Sequence, residues 1–360
     1  MSLKRTSGRK DASAPTQASR SLLARTVHRL FPPPSPAYGK ESLCTVNREP
    51  RGVRRRLHKL FPPPLQTEVS WYAPSLTPKI TEHGDFYHKY TGIETEKNLI
   101  EHVHAIRDQV WAFAPYPCIG RGWFLLPGLS GMKEWPEVVE AAKEGKTILD
   151  LGCGLGQDIR RLYSDAGRDT ANLKLYASDV NEKLWEMGCE LFRDHKMPVA
   201  KFLCADAMIY RAYCSPDAPF GPEEPFDEVR GQVDVILTSQ LLDLFHYNDQ
   251  RHILGTIFGL SHVGTKVIGR TLGATEGESC EDNREGDAQG MRMYHCTRDL
   301  KGLWWHAGRD TQTSWKAEVE EVDFEQWGFD QDDIAWLDEP PPKGLDVTMK
   351  GLNFVFERVE

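Results

Sequence analysis

The 360-residue chain is 40% apolar and 10% aromatic, enough to bury a core. Its formal charge of −9 is unevenly spread: residues 1–70 hold 14 Lys and Arg against 4 Asp and Glu, and the remainder holds 30 against 49. An acidic body excludes a main domain that grips nucleic acid, since phosphate contacts need a basic face, and favours small-molecule chemistry.

No apolar run reaches the roughly 18 residues of a membrane helix, and no charged-then-apolar leader is visible, so a protein with no membrane span is expected. Eight cysteines are scattered without a Cys-x-x-Cys pair. That usage points to a reduced, cytoplasmic protein without a zinc site.

Residues 1–70 are rich in Ser, Pro and Arg, and His28-Arg29-Leu30-Phe31-Pro32-Pro33-Pro34 nearly repeats as His58-Lys59-Leu60-Phe61-Pro62-Pro63-Pro64. Neither copy has the apolar surface to fold alone, which predicts a disordered basic tail; a docking motif or targeting peptide is the functional alternative. The folded body is expected to start at Trp71, with an N-terminal helical cap over 71–145. Within it Leu99, Val103, Ile106 and Val110 recur at helical spacing behind Thr95, a suitable N-cap. A short helix follows from about Glu134 to Glu144.

The segment from Thr147 to Asp158 reads as a strand, a tight turn and the start of a helix: an apolar run closes on Asp150, and Gly152, Gly154 and Gly156 follow two apart. Glycine lets the backbone approach a ligand closely, and the helix start leaves free N–H groups facing outward. Beyond it, strands end at Asp179, at Asp206 and at Thr238, with helices between them, which argues for right-handed crossovers and a parallel sheet over 146–360. A helix from about Asp249, a strand from Lys266, and a helix capped by Thr297 continue the alternation. The stretch from Thr275 to Gln289 is expected to be a mobile loop at the carboxyl edge. The segment 330–342 is acidic and proline-rich, and two final strands joined without a helix predict an antiparallel hairpin.

A dinucleotide wants Gly-x-Gly-x-x-Gly so that its pyrophosphate meets the helix N-terminus. Here the third glycine comes one residue early and Gln157 takes the dinucleotide position. An acid followed by Gly-x-Gly-x-Gly is instead the pattern of enzymes that bind S-adenosylmethionine. Asp179 is placed to accept from both ribose hydroxyls, because one carboxylate can take two O–H donors. Asp206 is placed for the adenine amino group, beside the backbone N–H of Ala207. Val180 and Tyr90 complete the expected cofactor contacts.

From Trp71 onward the chain resembles the fungal S-adenosylmethionine-dependent methyltransferases of polyketide and meroterpenoid biosynthesis. The resemblance rests on Tyr116-Pro117-Cys118-Ile119-Gly120-Arg121, on Leu149 to Cys153 with Gly156-Gln157-Asp158-Ile159-Arg160, on Ser178-Asp179 and on Glu190 to Asp194. It implies a Rossmann-like class I methyltransferase fold, with a mostly parallel seven-stranded sheet and a C-terminal antiparallel hairpin. It also implies methyl transfer from S-adenosylmethionine to a carboxyl or hydroxyl oxygen of a small-molecule acceptor. A histidine is expected after the fourth strand near Asp243; this chain reads Leu242-Asp243-Leu244-Phe245-His246, so the histidine is displaced or the acceptor chemistry differs. His246 and Asp243 are candidate bases, with a polar helix start as the alternative for His246. Arg121 is a candidate for a carboxylate of acceptor or cofactor, or for an ion pair with the acidic body. No metal and no nucleic acid are expected, and a homodimer is an allowed assembly.

Overall fold

The computed structural model describes residues 67–168, 172–196, 199–209, 225–275, 280–282, 292–338 and 348–360. Residues 1–66 of the expected tail over 1–70, and most of the expected loop at 275–289, lie outside the described residues.

The body opens with α1 (Thr77–His83), α2 (Asp85–Thr91) and α3 (Glu96–Trp111). The Thr95 hydroxyl accepts the Asn98 N–H at 3.3 Å, which is the expected cap, and Leu99, Val103, Ile106 and Val110 are buried on the face that the spacing defines. After α4 (Pro117–Gly120), α5 (Trp135–Lys143) leads into the sheet.

There β1 (Thr147–Leu151), α6 (Gln157–Asp165), β2 (Lys174–Asp179), α7 (Glu182–Phe192) and β3 (Lys201–Cys204) form one half. The second half comprises β4 (Val233–Ser239), α8 (Tyr247–Leu260), β5 (Ser261–Ala274), a small hairpin of β6 (Cys280–Asp282) with β7 (Arg292–Tyr294), α9 (Thr297–Thr311), β8 (Trp315–Val322), α10 (Gln331–Asp338) and β9 (Met349–Arg358). The main sheet has the order β3-β2-β1-β4-β5-β9-β8. Strands β1 to β5 pair in parallel, and β9 runs antiparallel to both β5 and β8. This order, with one reversed strand, is the Rossmann-like class I methyltransferase fold. The order turns back between β1 and β4, and such switch points open a crevice at the carboxyl ends of the strands.

Two expectations change. The final strands do pair antiparallel, but α10 lies between them, where no helix is expected. Its acids explain why: Asp330 Oδ1 accepts the Asp333 N–H at 2.8 Å as a helix cap, and Asp333 is fully buried against Arg121 and Lys79. Thr297 is the first residue of α9 rather than its cap, with Cys296 at the N-cap position.

One face of the sheet is covered by α8 and α9. There Trp304 is 1% exposed and stacks on Phe356 with ring centroids 3.8 Å apart, so it belongs to the core, whereas Trp305 is 62% exposed. The other face packs against α5 and α6 through Ile148, Ala177, Leu237 and Ile268. Alternation then sends Asp150, Asp179, Ser239 and Arg270, each two residues on, to this same face at the carboxyl edge.

A buried polar link fixes the base of α8. The Gln250 amide donates to the carbonyls of Leu242, Phe245 and Met293, so its oxygen is left to accept from His295 Nε2. His295 Nδ1 has no partner among the described residues, and burial lowers the imidazole pKa from 6.5 to about 4 against the opposing charge of Asp299. A histidine kept neutral in the fold contributes its full stability above the unfolded pKa of 6.5 and loses it as pH falls towards about 4. The expected loss is on the order of 3 kcal/mol, at about 1.4 kcal/mol per unit. Urea midpoints measured across that window should show the slope, and His295→Gln should flatten it whatever its absolute stability.

Candidate active site

The glycine turn is built from close backbone contacts. The N–H groups of Gly152 and Cys153 both donate to the Ser178 carbonyl, at 2.8 and 2.9 Å. Gly152, Gly154 and Gly156 all have positive φ, at 77°, 54° and 69°. A Cβ at Gly152 would meet Leu241, and one at Gly156 would meet Arg160 and Trp185, whereas one at Gly154 would meet nothing within 4 Å among the described residues. Gly154 is therefore the point at which the turn faces open space, which suits close approach of a ligand.

Three buried acids influence one another near the turn. Asp179 Oδ2 accepts the Gly154 N–H at 3.0 Å and Oδ1 accepts the Asn181 N–H at 2.8 Å, so the carboxylate at the end of β2 also shapes the turn. Asp150 is 3% exposed and its Oδ2 has no hydrogen-bond partner among the described residues. Burial, with the charges of Asp158 and Asp179, pushes its pKa well above the usual carboxylate range. Asp158, equally buried, accepts the Leu129 N–H at 2.8 Å; burial raises its pKa, opposed by Arg270 and that N–H. Burial raises Asp179 as well, opposed by the N–H groups of Asn181, Gly154 and Val180.

Asp206 follows β3 half-buried, and its Oδ1 accepts the Met208 N–H at 2.8 Å, with Ala207 half-buried beside it. Gln157 opens α6. Together with Asp158, Tyr87 and Leu125 it lines a cavity of about 280 Å³ between the N-terminal helices and the start of α6; Asp179 and Asp206 are not among its walls.

Other expected site residues lie elsewhere. The Tyr90 hydroxyl donates to Asp194 at 3.0 Å, so Tyr90 reaches the turn through Asp194 and Arg160. Arg121 is turned towards α10: its Nε meets Asp333 at 2.6 Å, one Nη donates to the Ser70 carbonyl, and Trp336 lies 5.6 Å from its guanidinium carbon. It takes the ion-pair reading, because the α10 carboxylate is buried and needs a cation. Asp243 is 2% exposed in the turn Leu242–Leu244, where it accepts from the Thr271 hydroxyl at 2.9 Å. His246 is half-buried and caps α8, its Nδ1 accepting the Asn248 N–H at 3.5 Å.

Sequence reasoning passed over Arg160, Arg270 and Gln240. Arg160 lies in the Gly-Gln-Asp-Ile-Arg run that carries the resemblance, which was its only signal. The pleat also places Arg270, two residues after the apolar Ile268, on the face of Asp150.

Residues 71–125 match the model of the meroterpenoid methyltransferase N-terminal domain. The chain is similar in sequence to fungal methyltransferases. It is 27% identical over 259 residues to methyltransferase adrK of Penicillium rubens, covering 71% of this chain and 86% of that one. It is 26% identical over 264 residues to O-methyltransferase phiE of a fungal species, covering 72% and 82%. With the asnovolin E/chermesin D methyltransferase nvfJ of Aspergillus novofumigatus it shares 32% identity over 184 residues, or 51% and 61% of the two chains.

Proposed function

We propose that the chain binds S-adenosylmethionine on the glycine turn and methylates an oxygen, carboxyl or hydroxyl, of a small polyketide or meroterpenoid-type metabolite. The observation that carries this reading is a group of three buried acids, Asp150, Asp158 and Asp179, of which Asp179 accepts the N–H of the open Gly154. A pyrophosphate would bring two further negative charges beside three buried acids, whereas a sulfonium and an ammonium relieve their repulsion. The orphaned Asp150 oxygen and the Asp179 carboxylate have lone pairs to spare for N–H or O–H donors. Asp179 would hold the ribose hydroxyls, and Asp206 with the Ala207 N–H the adenine, with Gly152, Gly154, Gly156, Gln157 and Val180 lining the approach.

When bound, the cofactor supplies an electrophilic methyl group and departs as a neutral thioether. The protein aligns an acceptor oxygen with it and excludes water. A carboxylic acid, with a pKa near ~4, is already ionised at neutral pH and needs no base. A phenol, with a pKa near ~10, does, and Asp243 or His246 is then the residue to carry the proton. The O-methyltransferase name of phiE supports an oxygen target.

The test is incubation of the purified chain with methyl-labelled S-adenosylmethionine and a panel of aromatic acids and phenols. Label in an ester or ether product is expected. Tight cofactor binding without transfer to any acceptor would overturn the methyltransferase reading.

A further inference from the structure

Gln250 is fully buried in the first turn of α8, and its side-chain amide serves two other segments. Nε2 donates to the carbonyls of Leu242 and Phe245, at 2.9 and 3.1 Å, in the turn after β4, and to that of Met293 at 3.0 Å on β7. Both of its hydrogens are committed. With carbonyls on that side, Oε1 is the atom that faces His295, whose Nε2 donates to it at 2.5 Å. The network fixes the orientation of the amide and the tautomer of the imidazole together. His295 is anchored in turn: its carbonyl accepts the Ala274 N–H at 3.0 Å at the end of β5, and a Cβ on Gly273 would stand only 2.6 Å from that oxygen. The Met293 N–H closes the circuit by donating to the Phe245 carbonyl at 3.2 Å.

What this clasp holds has little stability of its own. Leu242–Leu244 is a single tight helical turn, closed by the Leu244 N–H on the Leu241 carbonyl at 3.2 Å and the Phe245 N–H on the Leu242 carbonyl at 3.1 Å. A turn that short does not persist without outside support. It carries Asp243, and it delivers the chain to His246 at the start of α8. Gln250 grips carbonyls on either side of Asp243, while the Thr271 hydroxyl of β5 donates to the carboxylate at 2.9 Å. Methionine or leucine would fill the same space without the cost of burying an amide. A fully satisfied polar network adds what an apolar side chain does not, one defined backbone geometry.

We propose that Gln250 is a positioning residue of the acceptor site, which through its clasp with His295 sets where Asp243 and His246 stand, and on which cofactor binding does not depend. This role rests on the methyltransferase reading for the chemistry of those two residues. The separation from the cofactor follows from the fold: Gln250 belongs to α8, which covers one face of the sheet, and Asp150 and Asp179 lie on the other.

The experiment compares the full-length wild type with Gln250→Met, which keeps the volume and removes every side-chain bond of the clasp, with His295→Leu, which removes the donor to Oε1, and with His295→Gln, which keeps one. Each is measured for S-adenosylhomocysteine affinity, for hydrogen exchange of the peptides covering 241–246 and 292–296, and for turnover per cofactor site with the acceptor that takes the label. Gln250→Met is expected to bind S-adenosylhomocysteine within about twofold of wild type and to exchange the Leu244, Phe245 and Met293 amides about tenfold faster. It should lose about tenfold or more of kcat/KM for the acceptor while KM for S-adenosylmethionine holds. His295→Leu should follow it, and His295→Gln should restore most of the loss. A merely structural glutamine would lower the melting temperature and the number of titratable sites yet leave the constants of each site unchanged. That outcome overturns the proposal, as does a loss of cofactor affinity in step with turnover. If Gln250→Met does not fold, His295→Leu carries the decision by the same measurements. Wild-type exchange at the turn in a variant that still transfers methyl sinks the clasp and leaves the methyltransferase standing. No transfer by the wild type to any acceptor sinks the methyltransferase and the positioning role with it, whatever the exchange shows.

Discussion

Asp179→Ala should lower S-adenosylmethionine affinity by about a hundredfold or more, measured by titration calorimetry. Each hydrogen bond to a charged acceptor is worth roughly 1.5–3 kcal/mol, and two ribose hydroxyls sharing one carboxylate bring the loss to that scale. The structure adds a second route to the same loss. Asp179 accepts from Gly154 and Asn181 through its two separate oxygens, so its removal also frees the one turn glycine that faces open space. A sharper expectation follows for Asp179→Asn, which keeps shape and one acceptor. Its NH₂ must face one of those two backbone N–H groups, donor against donor, so the amide should lose nearly as much affinity as alanine. Retained affinity within a few fold in either variant would show that the ribose contact lies elsewhere.

The parts of the site that are local in sequence were legible, because spacing alone defines them. The positive φ of Gly152, Gly154 and Gly156, the Asp179 that ends β2 and the Thr95 cap each depend on residues only a few positions apart. The sheet was legible for the same reason, through apolar runs alternating with helical stripes. What escaped was pairing across the chain. Arg121 meets a partner 212 positions away, and nothing near it indicates whether it faces a ligand or Asp333. The acids at 330–333 look like a solvated loop until the burial of Asp333 shows a helix cap and an ion pair. Arg270 was passed over because its place on the face of Asp150 follows from the pairing of β4 with β5, which joins residues distant in sequence.

The largest stability effect should come from Arg160→Met, expected to destabilise by about 3–5 kcal/mol and to lower the melting temperature by on the order of 10 °C. Arg160 is 0% exposed and forks onto Asp194 through Nε at 2.6 Å and Nη2 at 3.1 Å, with Trp185 and Phe192 packed at 4.4 and 4.8 Å from its guanidinium carbon. Its Nη1 donates to the carbonyls of Leu155 and Gly156, at 2.8 and 3.2 Å, so the side chain also fastens the glycine turn. On the other side α7 presses against that turn at Gly188, where a Cβ would stand 2.2 Å from the Leu155 carbonyl oxygen. Methionine fills much of the volume but leaves the Asp194 carboxylate buried without its cation, held by the Tyr90 hydroxyl and the Cys189 thiol. Lysine cannot restore a fork and should rescue little. The decisive measurement is a double-mutant cycle: Arg160→Met with Asp194→Leu removes both charges, so the pair should cost clearly less than the two single changes added, by about 2 kcal/mol or more. Strict additivity would mean that neither charge depends on the other, and the turn would then owe its shape to Asp179 and the glycines alone.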